Sequence, residues 1–189
     1  MGGLKPMAAD GATDEALMAA ARRGDMEAFG ALVRRFQDRV FTVALRLTRN
    51  RATAEDMAQQ AFLKAWQGRQ AYDARWRVST WLYRIVTNLC VDEHRRRARA
   101  TALLPAAFPV RVAHPHDALE EREARNRLNG ALNGLPRGQR VVMVLRYLDD
   151  LPYAEIGRIC GLPVNTVKSH MRRAKAALRR DLMAWREDR

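Results

Sequence analysis

The stretch that decides the fold of this chain is YAEIGRICGLPVNTVKS, residues 153–169. Its first half predicts a short amphipathic helix, Tyr153–Cys160, whose two isoleucines point inward. Gly161-Leu162-Pro163 predicts a tight turn, because glycine can adopt a positive φ and proline cannot continue the preceding helix. We expect Asn165-Thr166 to cap a second helix that continues to about Ala184. Two short helices around such a turn form a helix-turn-helix, whose second helix enters the major groove of DNA.

The outer faces of that second helix carry the polar and basic side chains that would contact duplex DNA. Recognition helices reach base edges with residues near their N-terminus, while cations further along contact phosphates and position the protein without reading sequence. The alternative is a helical hairpin with a solvated charged face, and both the turn residues and the one-sided charge argue against it. The candidate contacts are Asn165, Thr166, Lys168, Ser169, His170, Arg172, Arg173, Lys175 and Arg179.

The composition of the chain is strongly basic. Its 34 Lys and Arg against 21 Asp and Glu give a formal net charge of +13 at pH 7. This surplus indicates a polyanionic partner, although charge alone does not separate nucleic acid from an anionic membrane. The longest apolar run, about Val141–Leu145, falls far short of the ~20 residues that span a bilayer. With no apolar signal-peptide core and two cysteines, a soluble cytoplasmic protein with reduced thiols is expected.

Hydrophobic periodicity predicts an all-α chain of two small helical domains on a flexible tether. The expected division is a loose tail at 1–13, a helical bundle at 14–99, a proline-containing linker at 100–117 and the helix-turn-helix domain at 118–189. Bundle helices are predicted around Phe29–Leu47, from Thr53 to about Gln67 and from Val78 to about Arg97. Gly24-Asp25 is a plausible cap for the first of these. Thr53-Ala54-Glu55-Asp56 has capping-box spacing and is expected to open the second.

Further motifs extend along both predicted domains. Segments resembling sigma region 2 are Arg23-Gly24-Asp25, Ala54-Glu55-Asp56-Met57-Ala58-Gln59-Gln60-Ala61-Phe62 and Ser79-Thr80-Trp81-Leu82-Tyr83-Arg84-Ile85. Segments resembling sigma region 4 are Leu135-Pro136, Leu145-Arg146-Tyr147, Tyr153-Ala154-Glu155-Ile156 and Asn165-Thr166-Val167-Lys168-Ser169. Through the order of these motifs, the chain resembles the extracytoplasmic-function (ECF) group of bacterial sigma factors. Gly157 departs from the usual alanine of that group, and as a mid-helix glycine it is expected to cost about 1 kcal/mol.

The resemblance implies a function and a set of partners. The protein would join core RNA polymerase, recognise minus-ten and minus-thirty-five promoter elements, and promote strand opening at genes of a stress or environmental response. Its contacts on the polymerase would be the coiled coil of the largest subunit and the flap region. The linker would thread through the polymerase, and an anti-sigma factor is an expected partner.

The resemblance also assigns roles to residues of the first domain. The surface for the polymerase coiled coil maps to Asp56, Gln59, Gln60 and Leu63. Minus-ten contacts map to Tyr72, Trp76, Arg77, Ser79, Thr80, Trp81, Arg84, Asn88, Arg95 and Arg96. Aromatic faces and cations suit bases that have left the stack, and Asn88 and the 72–80 loop would surround an extruded one. The arginines from 95 to 99 would meet duplex phosphates. Two alternatives stay open: Asp56 could cap its helix, and Trp81 could belong to the core.

No arrangement of catalytic residues is found in the sequence, so no enzyme activity and no cofactor are expected; polymerisation chemistry would belong to the core enzyme. Cys90 and His94 lie one helical turn apart, but two ligands do not make a zinc site, and Cys90 is expected to be a buried apolar residue. Two other functions are considered. A transcription regulator would need an N-terminal sensing or dimerisation domain, such as an α/β receiver. A nucleic-acid enzyme would need metal-binding clusters that are missing.

Overall fold

The computed structural model describes residues 11–101 and 119–187, and it describes side chains over 11–99 and 127–183. These residues form eight α-helices, one 3-10 helix at Arg69–Ala71 and no strand, which confirms the all-α prediction. The α-helices are α1 Asp14–Arg22, α2 Met26–Thr48, α3 Arg51–Gly68, α4 Val78–Thr101, α5 Leu119–Gly134, α6 Arg137–Asp149, α7 Tyr153–Cys160 and α8 Val164–Glu187. Most of the predicted tail and linker lies outside the described residues.

Helices α1 to α4 pack as a bundle centred on α2. Asp25 caps α2 as predicted, because its carboxylate accepts a hydrogen bond from the backbone nitrogen of Ala28 at 3.0 Å. Leu32, Phe36 and Val40 follow at four-residue steps and are buried in the bundle core. The amphipathic pattern of this segment therefore decides which face of α2 the other three helices cover.

The start of α3 differs from the prediction. The helix begins at Arg51, and its N-cap is Asn50 rather than Thr53. Asn50 has an extended backbone, and its Oδ1 accepts from the Thr53 backbone nitrogen at 2.9 Å and from Thr53 Oγ1 at 3.0 Å. Because the helix already begins at Arg51, Thr53 is a helical residue whose own amide is capped by Asn50, so the Thr53–Asp56 capping box is not used.

The helix-turn-helix has the predicted first helix, α7, and the predicted turn. Gly161 adopts the left-handed conformation at φ 65°, as a C-cap glycine does. The second helix, α8, begins at Val164, and the Pro163 carbonyl accepts hydrogen bonds from the first turn. The prediction that Asn165-Thr166 caps this helix is therefore wrong: both residues are helical members of its first turn.

Gly157 is required by the turn instead of weakening it. A Cβ at this position would lie 2.7 Å from the Leu162 carbonyl oxygen, closer than real Cβ contacts come. The Gly157 carbonyl accepts from the Leu162 backbone nitrogen at 2.9 Å, so the turn folds back directly over this residue. The expected propensity cost of glycine is thus outweighed by a close approach that alanine would block.

The two helical domains lie against each other, α4 packing on α7 and α2 on α6. Thr80 of α4 and Arg39 of α2 each contact a carboxylate of the second domain. Among the helices in the described ranges, none combines the length and apolarity needed to cross a membrane.

Candidate nucleic-acid and polymerase interfaces

The predicted polymerase-binding residues share one exposed face of α3, namely Asp56, Gln59, Gln60 and Leu63. The opposite face, with Met57, Ala58 and Ala61, is buried in the bundle. Leu63 leaves 61% of its surface exposed and adds an apolar side chain to this otherwise polar face. Because Asn50 caps α3, Asp56 is not needed as a cap. This face is therefore available to a partner.

The loop before α4 is built from aromatic contacts. Tyr72 is buried; its hydroxyl donates to the Trp76 carbonyl, and its ring meets Trp81 edge-on with centroids 5.3 Å apart. Burial is the main cause that raises the pKa of Tyr72, so the hydroxyl stays protonated as a donor. The Asp73 carboxylate pairs with Arg75 at 2.6 Å, closing the turn between these aromatics. Tyr72 holds the loop in shape, while Trp76 and Trp81 are half-buried.

Arg77, Arg84 and Asn88 of the predicted minus-ten set are exposed, and the Arg84 guanidinium lies 5.1 Å from the Trp76 ring centroid. This pair places a cation and an aromatic face side by side at the mouth of the loop, the combination that single-stranded bases stack on. Ser79 is half-buried, and Thr80 is 2% exposed. Thr80 thus stands apart from its neighbours: its hydroxyl donates to Glu155 of α7 at 2.5 Å.

The basic end of α4 is organised by a carboxylate that sequence reasoning missed. Glu93, 8% exposed, accepts from the Arg96 Nε at 2.8 Å and the Arg97 Nε at 2.6 Å. The other end of the Arg97 guanidinium donates to Thr53 Oγ1 at 2.6 Å, which ties α4 to the start of α3. The spacing of three and four residues from Glu93 was the available signal. Arg95, paired more loosely with Asp92 at 3.8 Å, points elsewhere.

The outer face of α8 is open. Asn165, Lys168, Ser169, Arg172, Arg173, Lys175 and Arg179 are exposed. Within the described residues, none of their side chains forms a hydrogen bond or an ion pair, and the Lys175 ammonium lies 5.9 Å from the Tyr147 ring centroid. Thr166 and His170 are half-buried, and a Cβ on Gly138 of α6 would come within 2.9 Å of the His170 ring. The structure thus groups the exposed candidates on one face and turns His170 toward α6.

Both cysteines are free thiols. Burial raises the pKa of Cys90 to about 12 and that of Cys160 to about 11, which leaves them protonated at neutral pH. His94 is exposed on the next turn of α4. Over the described ranges, no group of three or more His, Cys, Asp or Glu is placed to hold a metal ion.

A helix-turn-helix with an open cationic face, joined to a helical bundle with an aromatic loop and an exposed polar face, defines a two-domain DNA-binding protein. Two family matches divide the chain the same way: residues 32–100 match Sigma-70 region 2, and residues 125–178 match Sigma-70 region 4. An α/β receiver is excluded for residues 14–101, which form helices without a strand.

Relatives narrow the class further. The chain is 34% identical over 172 residues to ECF RNA polymerase sigma factor SigW of Bacillus subtilis, covering 85% of this chain and 92% of that protein. It is 35% identical over 169 residues to ECF RNA polymerase sigma factor SigM of Mycobacterium tuberculosis, covering 89% and 84%. A solved structure of CnrH with the cytosolic domain of CnrY matches with a TM-score of 0.71 at 27% identity, covering 90% and 97%. The chain therefore belongs to the ECF RNA polymerase sigma factors of the sigma-70 family.

Proposed function

We propose that this chain binds core RNA polymerase through the α3 face, contacts the minus-ten element with the start of α4 and the loop before it, and contacts the minus-thirty-five element with α8. One observation carries the proposal: a single chain of this family presents three exposed faces. The face on α3 is polar with one apolar residue, the face at the start of α4 is aromatic and cationic, and the face on α8 is cationic. In this proposal the chain acts in the cytoplasm, and it catalyses no reaction itself because polymerisation chemistry belongs to the core enzyme.

Strand opening rests on the loop before α4. The Trp76–Arg84 pair offers a stacking surface to a base of the non-template strand, and exposed Asn88 one turn further offers an amide for hydrogen bonds to its edge. Tyr72 is buried beneath this surface. In this proposal Tyr72 does not contact DNA itself. It supports the loop by holding Trp76 and Trp81 in position.

The α3 face is tested with core RNA polymerase and the full chain. Leu63→Asp is expected to weaken core binding by more than tenfold, because exposed Leu63 would become buried in the proposed complex and the variant would put a charge there. Met26→Asp is the matched control, since Met26 is an apolar residue of α2 that is 74% exposed and lies outside the proposed face. Run-off transcription from promoter DNA should fall with Leu63→Asp and persist with Met26→Asp. Equal loss in both variants, or no specific transcript from the wild type, contradicts the proposal.

An inhibitory partner is also proposed. The CnrH structure contains the cytosolic domain of CnrY, and we propose that a protein of that kind binds this chain as well. The fold that this chain shares with CnrH supports a partner of this class and does not identify the partner. Co-expression of the chain with the product of a neighbouring gene, followed by run-off transcription, tests whether such a protein blocks the activity.

A further inference from the structure

Helix α8 has a half-buried edge between its buried side and its exposed face. The buried side begins at Val167, and the exposed face begins at Asn165. Three half-buried residues follow one another at steps of four and seven, so they share one line along the helix: Thr166, His170 and Ala177. His170 is the largest side chain of the three. The packing along this edge therefore depends mainly on one imidazole ring.

The imidazole of His170 lies over the first turn of α6. Gly138 is the second residue of α6, and a Cβ built on it would lie 2.9 Å from His170 Cε1 and 3.3 Å from Nδ1. The ring thus occupies the space that any other side chain at position 138 would need. Glycine is a poor helix former, and Gly138 does not have the positive φ that favours glycine. The contact with His170 is therefore the physical reason for a glycine in this helix.

The ring contributes its shape to this contact. His170 Nδ1 is buried and has no hydrogen-bond partner in the part of the chain that the structure describes. The same nitrogen is one of the two ring atoms nearest to the position of a Cβ on Gly138. A hydrogen bond through Nδ1 therefore does not hold His170 against α6. The fit depends on the volume of the ring on one helix and on the missing side chain on the other.

We propose that His170 and Gly138 together set the position of α8 against α6, and that His170 is a positioning residue for minus-thirty-five binding and does not contact a base. This inference rests on the proposed function of α8. A methyl group at position 138 would force the ring out toward the exposed face, or it would push α8 away from α6. Either movement changes how the neighbouring exposed residues Lys168 and Ser169 enter the major groove.

A double-mutant cycle on the full chain tests the proposal. Holoenzyme binding is measured on a promoter fragment, taken from mapped transcript starts, that carries or lacks the minus-thirty-five element. The readout is the ratio of the two affinities, which an inactive fraction of the protein does not change. We expect this ratio to fall about tenfold for Gly138→Ala and about threefold for His170→Ala. The double variant should return to within about threefold of the wild type, because the new methyl group occupies the vacated space.

Two further variants separate shape from chemistry. His170→Phe keeps a ring and removes both nitrogens, so the affinity ratio should stay within about threefold of the wild type. Gly130→Ala is the control for the added methyl group, since no described atom lies within 4 Å of a Cβ at that position of α5. Its affinity ratio should equal that of the wild type. An equal loss in Gly130→Ala and Gly138→Ala overturns the proposal.

Two other results would contradict the positioning role. Losses that simply add in the double variant would show that the two residues act independently. A wild-type ratio for Gly138→Ala, with equal losses for His170→Ala and His170→Phe, would show that the ring nitrogens contact DNA directly.

The failure of the proposed function has a different signature. If the wild type binds equally with and without the upstream element, the proposed role of α8 is wrong, and the positioning role of His170 is wrong with it. Urea unfolding of the same four proteins of the cycle then tests the contact alone. Coupled changes in the free energy of unfolding would confirm the contact between His170 and Gly138, and additive changes would contradict it.

Discussion

The basic end of α4 and the outer face of α8 are both rows of cations on a helix, and they differ in what those cations contact. At the end of α4, Arg96 and Arg97 are bound by buried Glu93, and Arg97 also bonds Thr53. On α8, the exposed cations Lys168, Arg172 and Arg173 have no ion pair within the described residues. A cation already paired has little left to gain from a phosphate, whereas a free one brings its full charge. The two rows therefore serve different purposes, although both are positively charged.

The largest effect is expected on α8. Lys168→Ala and Arg172→Ala should each weaken holoenzyme binding to a minus-thirty-five element by about 1–3 kcal/mol, because each removes a contact that no other side chain replaces. Arg180→Ala is the control, since Arg180 is an exposed cation of the same helix outside the candidate set. Binding is measured on promoter fragments that carry or lack the upstream element. Equal loss for Arg180→Ala would mean that only total charge matters.

The next effect concerns the turn that presents α8. Gly157→Ala should lower the free energy of unfolding by about 2 kcal/mol, since its Cβ would clash with the Leu162 carbonyl oxygen. Helix propensity alone predicts the opposite sign. Gly130→Ala is the control: nothing lies within 4 Å of a Cβ there, so α5 should gain up to about 1 kcal/mol. Urea unfolding of both variants measures the two changes in the free energy of unfolding. A stabilised Gly157→Ala would contradict the account of the turn.

A smaller effect separates the arginines of α4. Arg97→Ala should lower the free energy of unfolding by about 1 kcal/mol, because it breaks the tie to Thr53 and leaves Glu93 with one partner. It should leave the salt dependence of promoter binding nearly unchanged. Arg95→Ala should do the reverse and reduce the salt slope by about 1. The comparison breaks down if Arg97→Ala changes the slope as much as Arg95→Ala does.

The smallest effect is a pH dependence at Glu93. Burial acts to raise the pKa of Glu93, but hydrogen bonds from Arg97 and Arg96 outweigh it and hold that pKa below 4.5. A carboxyl whose folded pKa is depressed stabilises the fold above its unfolded pKa and loses that stabilisation as the pH falls through the folded value. Glu93→Gln should therefore flatten the loss of stability below about pH 4.5, by less than about 1 kcal/mol.

The helices and the helix-turn-helix were predictable because their signals are local. Asp25 caps α2 as the sequence predicts, and the predicted Gly161-Leu162-Pro163 turn separates α7 from α8. The errors came where two nearby residues compete for one role. Asn50 and Thr53 can both cap α3, and the sequence does not show which backbone is extended. The clash at Gly157 depends on a carbonyl five residues later, which helix propensity does not consider.

The candidate sites were predictable in their residue types and not in their contacts. The exposed face of α8 follows from its helical spacing, so its members could be named in advance. The pairing of Glu93 with Arg96 and Arg97 agrees with their three- and four-residue spacing, but spacing alone does not show that Glu93 is buried and bonds both arginines. The burial of Thr80 and Thr87 on α4 was missed for a related reason: a threonine on a helix is expected to face solvent unless another part of the chain packs over it.

The most direct test of a two-point promoter reader is to map transcript starts in a cell that expresses the wild-type chain or the Lys168→Ala, Arg172→Ala double variant. The account predicts that wild-type starts share two sequence elements at a fixed spacing. It further predicts that the double variant loses the starts that depend on the upstream element while core binding is kept. An unchanged set of starts in the double variant, or wild-type starts that share no upstream element, would contradict it.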